Sequence, residues 1–200
     1  MTIKAIIWDV GGVLMRTEDH TPRDQLAADL GVPRDHVEMT VFAGEIGGRA
    51  QRGEIDVAEL WESVRQVYNL THGELIRFEE RFWGGDVLDA NLIDTIHTLK
   101  ANYHIGLLSN AWLDLRAVIT GRWKIVDAFD SLTISAEEGV VKPDAQIYQI
   151  ALARAGVLPP ESVFIDDFPH NIAGAQKAGM HGILFKNPQQ TLKELDILLE

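Results

Sequence analysis

The sequence predicts an α/β fold, an open parallel five-stranded sheet with helices on both faces and an all-helical insertion after the first strand. Three observations predict it. Short apolar runs recur five times and each ends near a polar or turn residue; helical periodicity separates the later runs; and one long interval near the N-terminus carries helical patterns without a convincing strand.

The first run, Ile3-Lys4-Ala5-Ile6-Ile7-Trp8, stops at Asp9 and the turn residues Gly11-Gly12, as a buried parallel strand does when it empties into a loop. From Met15 to Leu88 the pattern is helical, most clearly where Val57, Leu60, Trp61, Val64, Val67 and Tyr68 share one face. Trp61, Trp83 and Trp112 lie in or near this interval and are assigned to packing, the usual role of tryptophan at helical spacing. Asp89 then caps a helix carrying Leu92, Ile93, Ile96 and Leu99. The remaining strands are expected at Ile105-Gly106-Leu107-Leu108, Leu132-Thr133-Ile134, Val163-Phe164-Ile165 and Gly182-Ile183-Leu184-Phe185. Helices with Ile147, Tyr148, Ala151, Leu152 and Ala155, and with Ile172, Ala175 and Ala178, fall between the later runs. The expected division is therefore a core from residues 1–14 and 89–200, with 15–88 inserted as a helical cap.

Composition narrows the function. At 200 residues, 46% hydrophobic and 24% charged, the chain is long enough for one sizeable core and has an ordinary globular balance. Eighteen basic against 30 acidic side chains leave a net charge of −12, which repels phosphate backbones and anionic headgroups, so no nucleic acid and no membrane partner is expected. There is no cysteine, which excludes disulfides, thiolate metal sites and thiol nucleophiles. No long uncharged apolar run is present, and a cytoplasmic location is expected.

In a parallel sheet the ligand-bearing strand ends lie along one edge, so polar residues just past the apolar runs converge. Four groups occupy such positions: Asp9, Ser109-Asn110, Lys142 and Asp166-Asp167. Singly, each reads as a turn or cap residue. Together they concentrate charge at one place, and adjacent aspartates at a strand end repel one another unless a cation relieves them. A hard divalent ion held by oxygen ligands, with magnesium the leading candidate, suits that set.

These residues also resemble the sequence signatures of the haloacid dehalogenase superfamily, over nearly the whole chain. Trp8-Asp9-Val10-Gly11-Gly12-Val13-Leu14 is similar to the first, Leu107-Leu108-Ser109-Asn110 to the second, Val141-Lys142-Pro143-Asp144 to the third and Phe164-Ile165-Asp166-Asp167-Phe168-Pro169-His170-Asn171 to the fourth. The resemblance implies a Rossmann-like core with a small helical cap, and a magnesium-dependent phosphatase acting on small phosphorylated metabolites through an aspartyl-phosphate. It implies that Asp9 is the nucleophile and that Ser109, Asn110 and Lys142 bind the phosphoryl oxygens or neutralise their charge. The implied metal ligands are Asp9, the Gly11 carbonyl and Asp167, the direct carboxylate ligand of the pair, with Asp166 beside it either on the metal or just behind it and Asn171 in support.

Gly11 departs from the family pattern, which usually has a second aspartate there as general acid and base. Such a group is worth roughly 10²–10⁴ in rate. Either another group supplies it, Glu18, Asp19 or His20 being the nearest downstream, or the enzyme depends on substrates with good leaving groups. His97, His104, His170 and His181 read as structural or exposed, and Gly47-Gly48 and Arg52-Gly53-Glu54 as turns of the cap. Two alternatives stand beside the phosphatase. A 2-haloacid dehalogenase is disfavoured by the Asp166-Asp167 pair and by Gly11; a non-catalytic binding protein on the same scaffold is disfavoured by the retained charge cluster.

Overall fold

The computed structural model describes residues 2–200. Its centre is a five-stranded parallel sheet made of β1 (Ala5–Trp8), β4 (His104–Ser109), β5 (Ser131–Ile134), β6 (Ser162–Asp166) and β7 (His181–Leu184), in the order β5-β4-β1-β6-β7. The chain leaves β1 in one direction to β4 and β5, then returns to the other side for β6 and β7. That reversal makes the carboxyl edge of β1 the switch point where ligands bind in open sheets of this kind.

All five expected strands are present, each within two residues of the apolar run that announced it. Alternation along the strands sorts side chains into two layers. Ile6, Trp8, Ile105, Leu107, Val163 and Ile165 face one core, while Ile7, Leu108 and Phe164 face the other.

Between β1 and β4 lie two further strands, β2 (Met15–Thr17) and β3 (Asp86–Leu88), and helices α1 (Thr21–Leu30), α2 (Arg34–Glu38), α3 (Glu45–Gln51), α4 (Val57–Val67) and α5 (His72–Phe82). Helix α6 (Ala90–Leu99) follows β3; α7 (Leu115–Ala117) follows β4 and α8 (Ser135–Glu138) follows β5. The chain continues through α9 (Ala145–Ala155), α10 (Pro169–Lys177) and α11 (Pro188–Leu199). Helices α6 and α11 cover the first face through Leu92, Ile93, Ile96 and Leu195; α9 and α10 cover the second through Ile147, Tyr148, Ala151 and Ile172. Asp89 caps α6, its carboxylate accepting the Leu92 N–H at 2.9 Å.

The expectation of an all-helical insertion needs one correction. Its two ends pair as an antiparallel ribbon, Met15 opposite Leu88 and Thr17 opposite Asp86, so both chain crossings between the layers are tied together. The ribbon is latched by Thr17 Oγ1 donating to Asp86 at 2.6 Å and by Arg16 donating to Asp89 at 2.8 Å. Three-residue strands are too short to show alternation, and their partners lie far apart in sequence, so local pattern carries no trace of them.

Above the ribbon the helices enclose a core of their own, with Leu26, Val37, Val41, Leu60, Trp61, Val64, Phe78 and Phe82. Helices α4 and α5 each start with a capping box, Asp56 with Glu59 and Thr71 with Glu74. Trp112, from the loop after β4, reaches up into this cluster. No helix among the described residues is long and apolar enough to cross a membrane.

Candidate active site

The residues expected from the strand ends meet at one point. Asp9 follows β1, Ser109 ends β4, Asp166 ends β6 with Asp167 next to it, and Lys142 arrives on the loop before α9. Lys142 Nζ lies 2.8 Å from Asp9 and 2.6 Å from Asp166, and all three side chains are buried. Burial alone pulls the ammonium down, but the two carboxylates outweigh it and hold Lys142 above its ordinary pKa.

Asp9 shows the opposite balance. Burial raises its carboxyl to about 7, with Lys142 pulling against the shift and the charge on Asp166 adding to it. Burial also pushes Asp167 up, again with Asp166 beside it, to about 6. Removing water from a cluster of three carboxylates is costly unless positive charge replaces it, and one lysine is insufficient for three.

The three carboxylates do not stand alike. Asp166 accepts from Lys142, from the Phe168 N–H at 2.7 Å and from Asn171 Nδ2 at 3.0 and 3.1 Å, so both oxygens are occupied by protein donors. Asp167 Oδ1 is buried with no hydrogen-bond partner. One oxygen from each of Asp9, Asp166 and Asp167 lies within 4.8 Å of the other two, and an all-oxygen set with an orphaned carboxylate oxygen fits a hard divalent cation. The turn after Asp9 admits Asp167 only because residue 12 is glycine, held at φ +78° directly against its carboxylate.

Asn110 is placed differently from Ser109. Its side chain clamps the Lys142 backbone, Oδ1 accepting from the Lys142 N–H at 2.8 Å and Nδ2 donating to the Lys142 carbonyl at 3.1 Å. It therefore acts on the site by positioning the lysine loop. Asn171 works in the same way on Asp166, while its own backbone carbonyl accepts from Tyr148 at 2.8 Å.

Over this site opens a cleft of about 420 Å³ between the sheet edge and the inserted helices. Gly11, Ser109 and Asn110 line it, as do Phe42, Trp61, Trp83, Trp112 and Trp123. The tryptophans assigned to packing thus have a second surface: Trp61 and Trp112 are largely buried yet also wall the cleft. Trp123 and Phe42 were not anticipated as site residues, and nothing local in the sequence distinguishes them from core aromatics. Glu18, Asp19 and His20 are exposed at the start of α1 and do not line the cleft. Asp19 instead faces Thr21, whose side chain and N–H, the latter donating at 2.9 Å, together hold its carboxyl low. His170 is exposed against Phe168, and His104 pairs with Ser131 at 2.8 Å.

A family model described as haloacid dehalogenase-like hydrolase matches residues 3–179. A sesquiterpene phosphatase of Aspergillus oryzae is 27% identical over 97% of this chain and 95% of its own length. A D-ribitol-5-phosphate phosphatase of Bacteroides thetaiotaomicron is 26% identical over 98% of each. Among solved structures, an enzyme of the same family from Bacteroides thetaiotaomicron, in complex with magnesium and inorganic phosphate, superposes with a TM-score of 0.77. It is 23% identical, and the match covers 93% of this chain and 96% of that one.

Proposed function

The chain belongs to the haloacid dehalogenase-like hydrolases, and from that membership we propose that it is a magnesium-dependent phosphatase of small phosphorylated metabolites, working through an aspartyl-phosphate. The observation that carries the reading is the buried Lys142 ammonium between Asp9 and Asp166, beside an Asp167 oxygen that has no protein partner. Two relatives matched along nearly their whole length are phosphatases, which supports it. We read residues 15–88 as the cap and residues 1–14 and 89–200 as the catalytic core, in a cytoplasmic protein.

In this reading one Asp9 oxygen attacks phosphorus, and the ester P–O bond breaks with its electron pair on the departing alcohol oxygen. Water then cleaves the aspartyl-phosphate, releasing phosphate and restoring the carboxylate. Lys142, the Ser109 hydroxyl and main-chain N–H groups after Asp9 hold the equatorial oxygens in line. Asp9, Asp167 and the Gly11 carbonyl would hold the magnesium, with Asp166 behind them as the anchor of Lys142. When bound, the ion supplies the charge neutralisation that phosphoryl transfer requires.

The test is release of p-nitrophenol from p-nitrophenyl phosphate, with magnesium and with chelator, in the native chain and in Asp9→Asn. Turnover that needs the metal and is lost in the variant is expected. Turnover that persists in Asp9→Asn, or no turnover in either, would overturn the reading.

A further inference from the structure

We propose that the alcohol half of the substrate is bulky and apolar, so that the cleft above Asp9 selects phosphate monoesters of hydrophobic alcohols over those of polyols; this rests on the phosphatase reading above. Gly11, Ser109 and Asn110, the residues that flank Asp9 and the Lys142 loop, line one part of the cleft, and the rest of its wall is mostly aromatic and aliphatic. Trp112 follows Ser109 by three residues, so the loop that ends at the phosphate side also delivers an indole into the cleft.

That wall is built in advance of any ligand. Trp112 stacks on Phe42 with ring centres 6.0 Å apart, and meets Trp61 and Trp83 edge-on at 5.8 Å each. Phe42 and Trp83 meet at 5.7 Å. Rings locked to one another lose little freedom when an apolar group slides against them, which is the condition for tight binding without reorganisation.

The backbone is shaped to the same end. Two wide π-helical turns, Met39–Ala43 from the insertion and Val118–Arg122 from the core, both open onto this cleft. The first presents Phe42; the second presents Val118 and Arg122 and ends at Trp123, whose N–H donates to the Val118 carbonyl. Such turns cost helix regularity and concentrate at functional sites. Here they come from both layers and deliver lining residues to one space.

Polar groups are few and badly placed for a polyol. Asp86 is consumed by Thr17 and Arg23 at 2.6 and 2.7 Å. Glu79, Arg122 and the Trp83 edge are shared with an adjoining cleft and so mark the outer end. Packing of neighbouring side chains raises the carboxyls of half-buried Glu79 and, on its covered side, of exposed Asp114. Gln51 also lines the cleft, with its Nε2 already donating to the Phe42 carbonyl at 2.9 Å, so few side chains are free to meet the several hydroxyls of a polyol, whereas each buried methylene gains about 0.8 kcal/mol, roughly fourfold.

The experiment compares kcat/KM for n-alkyl phosphates from propyl to dodecyl with glycerol and pentitol phosphates, in magnesium. In parallel, propylphosphonate and octylphosphonate are titrated against tryptophan emission of the native chain. We expect kcat/KM to rise about three- to fourfold per methylene and then level off. Octylphosphonate should bind at least about tenfold more tightly than propylphosphonate and shift the emission. Trp123→Ala and, separately, Trp83→Ala should each compress the octyl-to-propyl ratio about tenfold. A flat chain-length series, polyol phosphates outrunning octyl phosphate, or equal binding of the two phosphonates overturns the proposal, and the last needs no variant to fold. Turnover of p-nitrophenyl phosphate without chain-length preference sinks this inference alone. Selective octylphosphonate binding without any turnover sinks the catalytic reading and leaves the cleft assignment standing.

Discussion

Gly12 runs directly against Asp167 with no space for a side chain between them: a β-carbon at residue 12 falls within van der Waals distance of both carboxylate oxygens. The backbone there is also left-handed, at φ +78°. The loop after Asp9 and the Asp167 carboxylate are therefore mutually dependent, and the pairing of Gly-Gly after Asp9 has a physical cause at its second member.

Gly12→Ala is accordingly expected to displace Asp167 and weaken magnesium binding by tenfold or more, with a stability loss of about 1–3 kcal/mol from strain. Titration calorimetry with magnesium measures the first and denaturant unfolding the second. Native affinity in the variant would mean that Asp167 is not a ligand.

Stability should respond to pH and metal together. Burial lifts Asp9 to about 7 and Asp167 to about 6, from an ordinary 3.8, so the folded chain keeps protons that the unfolded chain gives up. Their favourable contribution is complete below about pH 4 and is lost as pH rises through about 6 to 7 in the metal-free protein. Magnesium needs both carboxylates ionised. Its effect on Tm should be several degrees at pH 8, at about 2–4 °C per kcal/mol, and less than half of that at pH 5. Asp167→Asn in chelator should exceed the native Tm at pH 8 and lose that advantage at pH 5. Equal magnesium shifts at the two pH values would remove the carboxylates as the cause.

Much of this arrangement was legible because parallel topology converts distant sequence positions into neighbours. Asp9, Ser109, Lys142 and Asp166-Asp167 each follow a recognisable strand or loop, so their meeting follows from the order of the strands. The different duties of the two late aspartates came only from the family resemblance, because physically they depend on which donors surround each oxygen. Asn171 and Phe168 saturate Asp166, and nothing in the pattern Asp-Asp says which of the two is taken. The aromatic cleft was hidden for another reason. Trp61 and Phe42 satisfy helical packing on one side while facing the cleft on the other, and periodicity reports only that an apolar side chain is wanted. The β2–β3 ribbon escaped because its pairing closes a loop of some seventy residues, far outside any local window.

The insertion is docked on the core at a second glycine. Gly53 sits at φ +67°, where a β-carbon would run into the Ala136 carbonyl at the start of α8, next to Ser135, whose hydroxyl donates to the Gln51 carbonyl at 2.7 Å. Gly53→Ala should push the end of α3 away from α8 and cost about 1–3 kcal/mol. Hydrogen exchange should quicken in α3 and α8 while the β1 and β6 amides keep their protection. Unchanged exchange in α3 would show that this contact does not hold the layers together.

Gly11 bears on the chemistry most directly. A β-carbon there meets nothing within 4 Å, and its φ is not left-handed, so an aspartate can be installed without strain. With glycine, the departing oxygen has no acid from this loop, and Glu18, Asp19 and His20 lie outside the cleft. The native enzyme should therefore depend steeply on leaving-group pKa, turning over aryl phosphates far faster than alkyl phosphates of matched size. Gly11→Asp should flatten that dependence by raising alkyl phosphate turnover, by up to about 10²–10⁴ and with little gain on p-nitrophenyl phosphate. The measurement is kcat across phosphates of graded leaving-group pKa for both proteins, with single-turnover rates to isolate bond cleavage. A native dependence that is already flat would place a working acid elsewhere in the cleft. Asp114, lining it and raised by desolvation, is then the first residue to replace, since its loss should restore the steep slope.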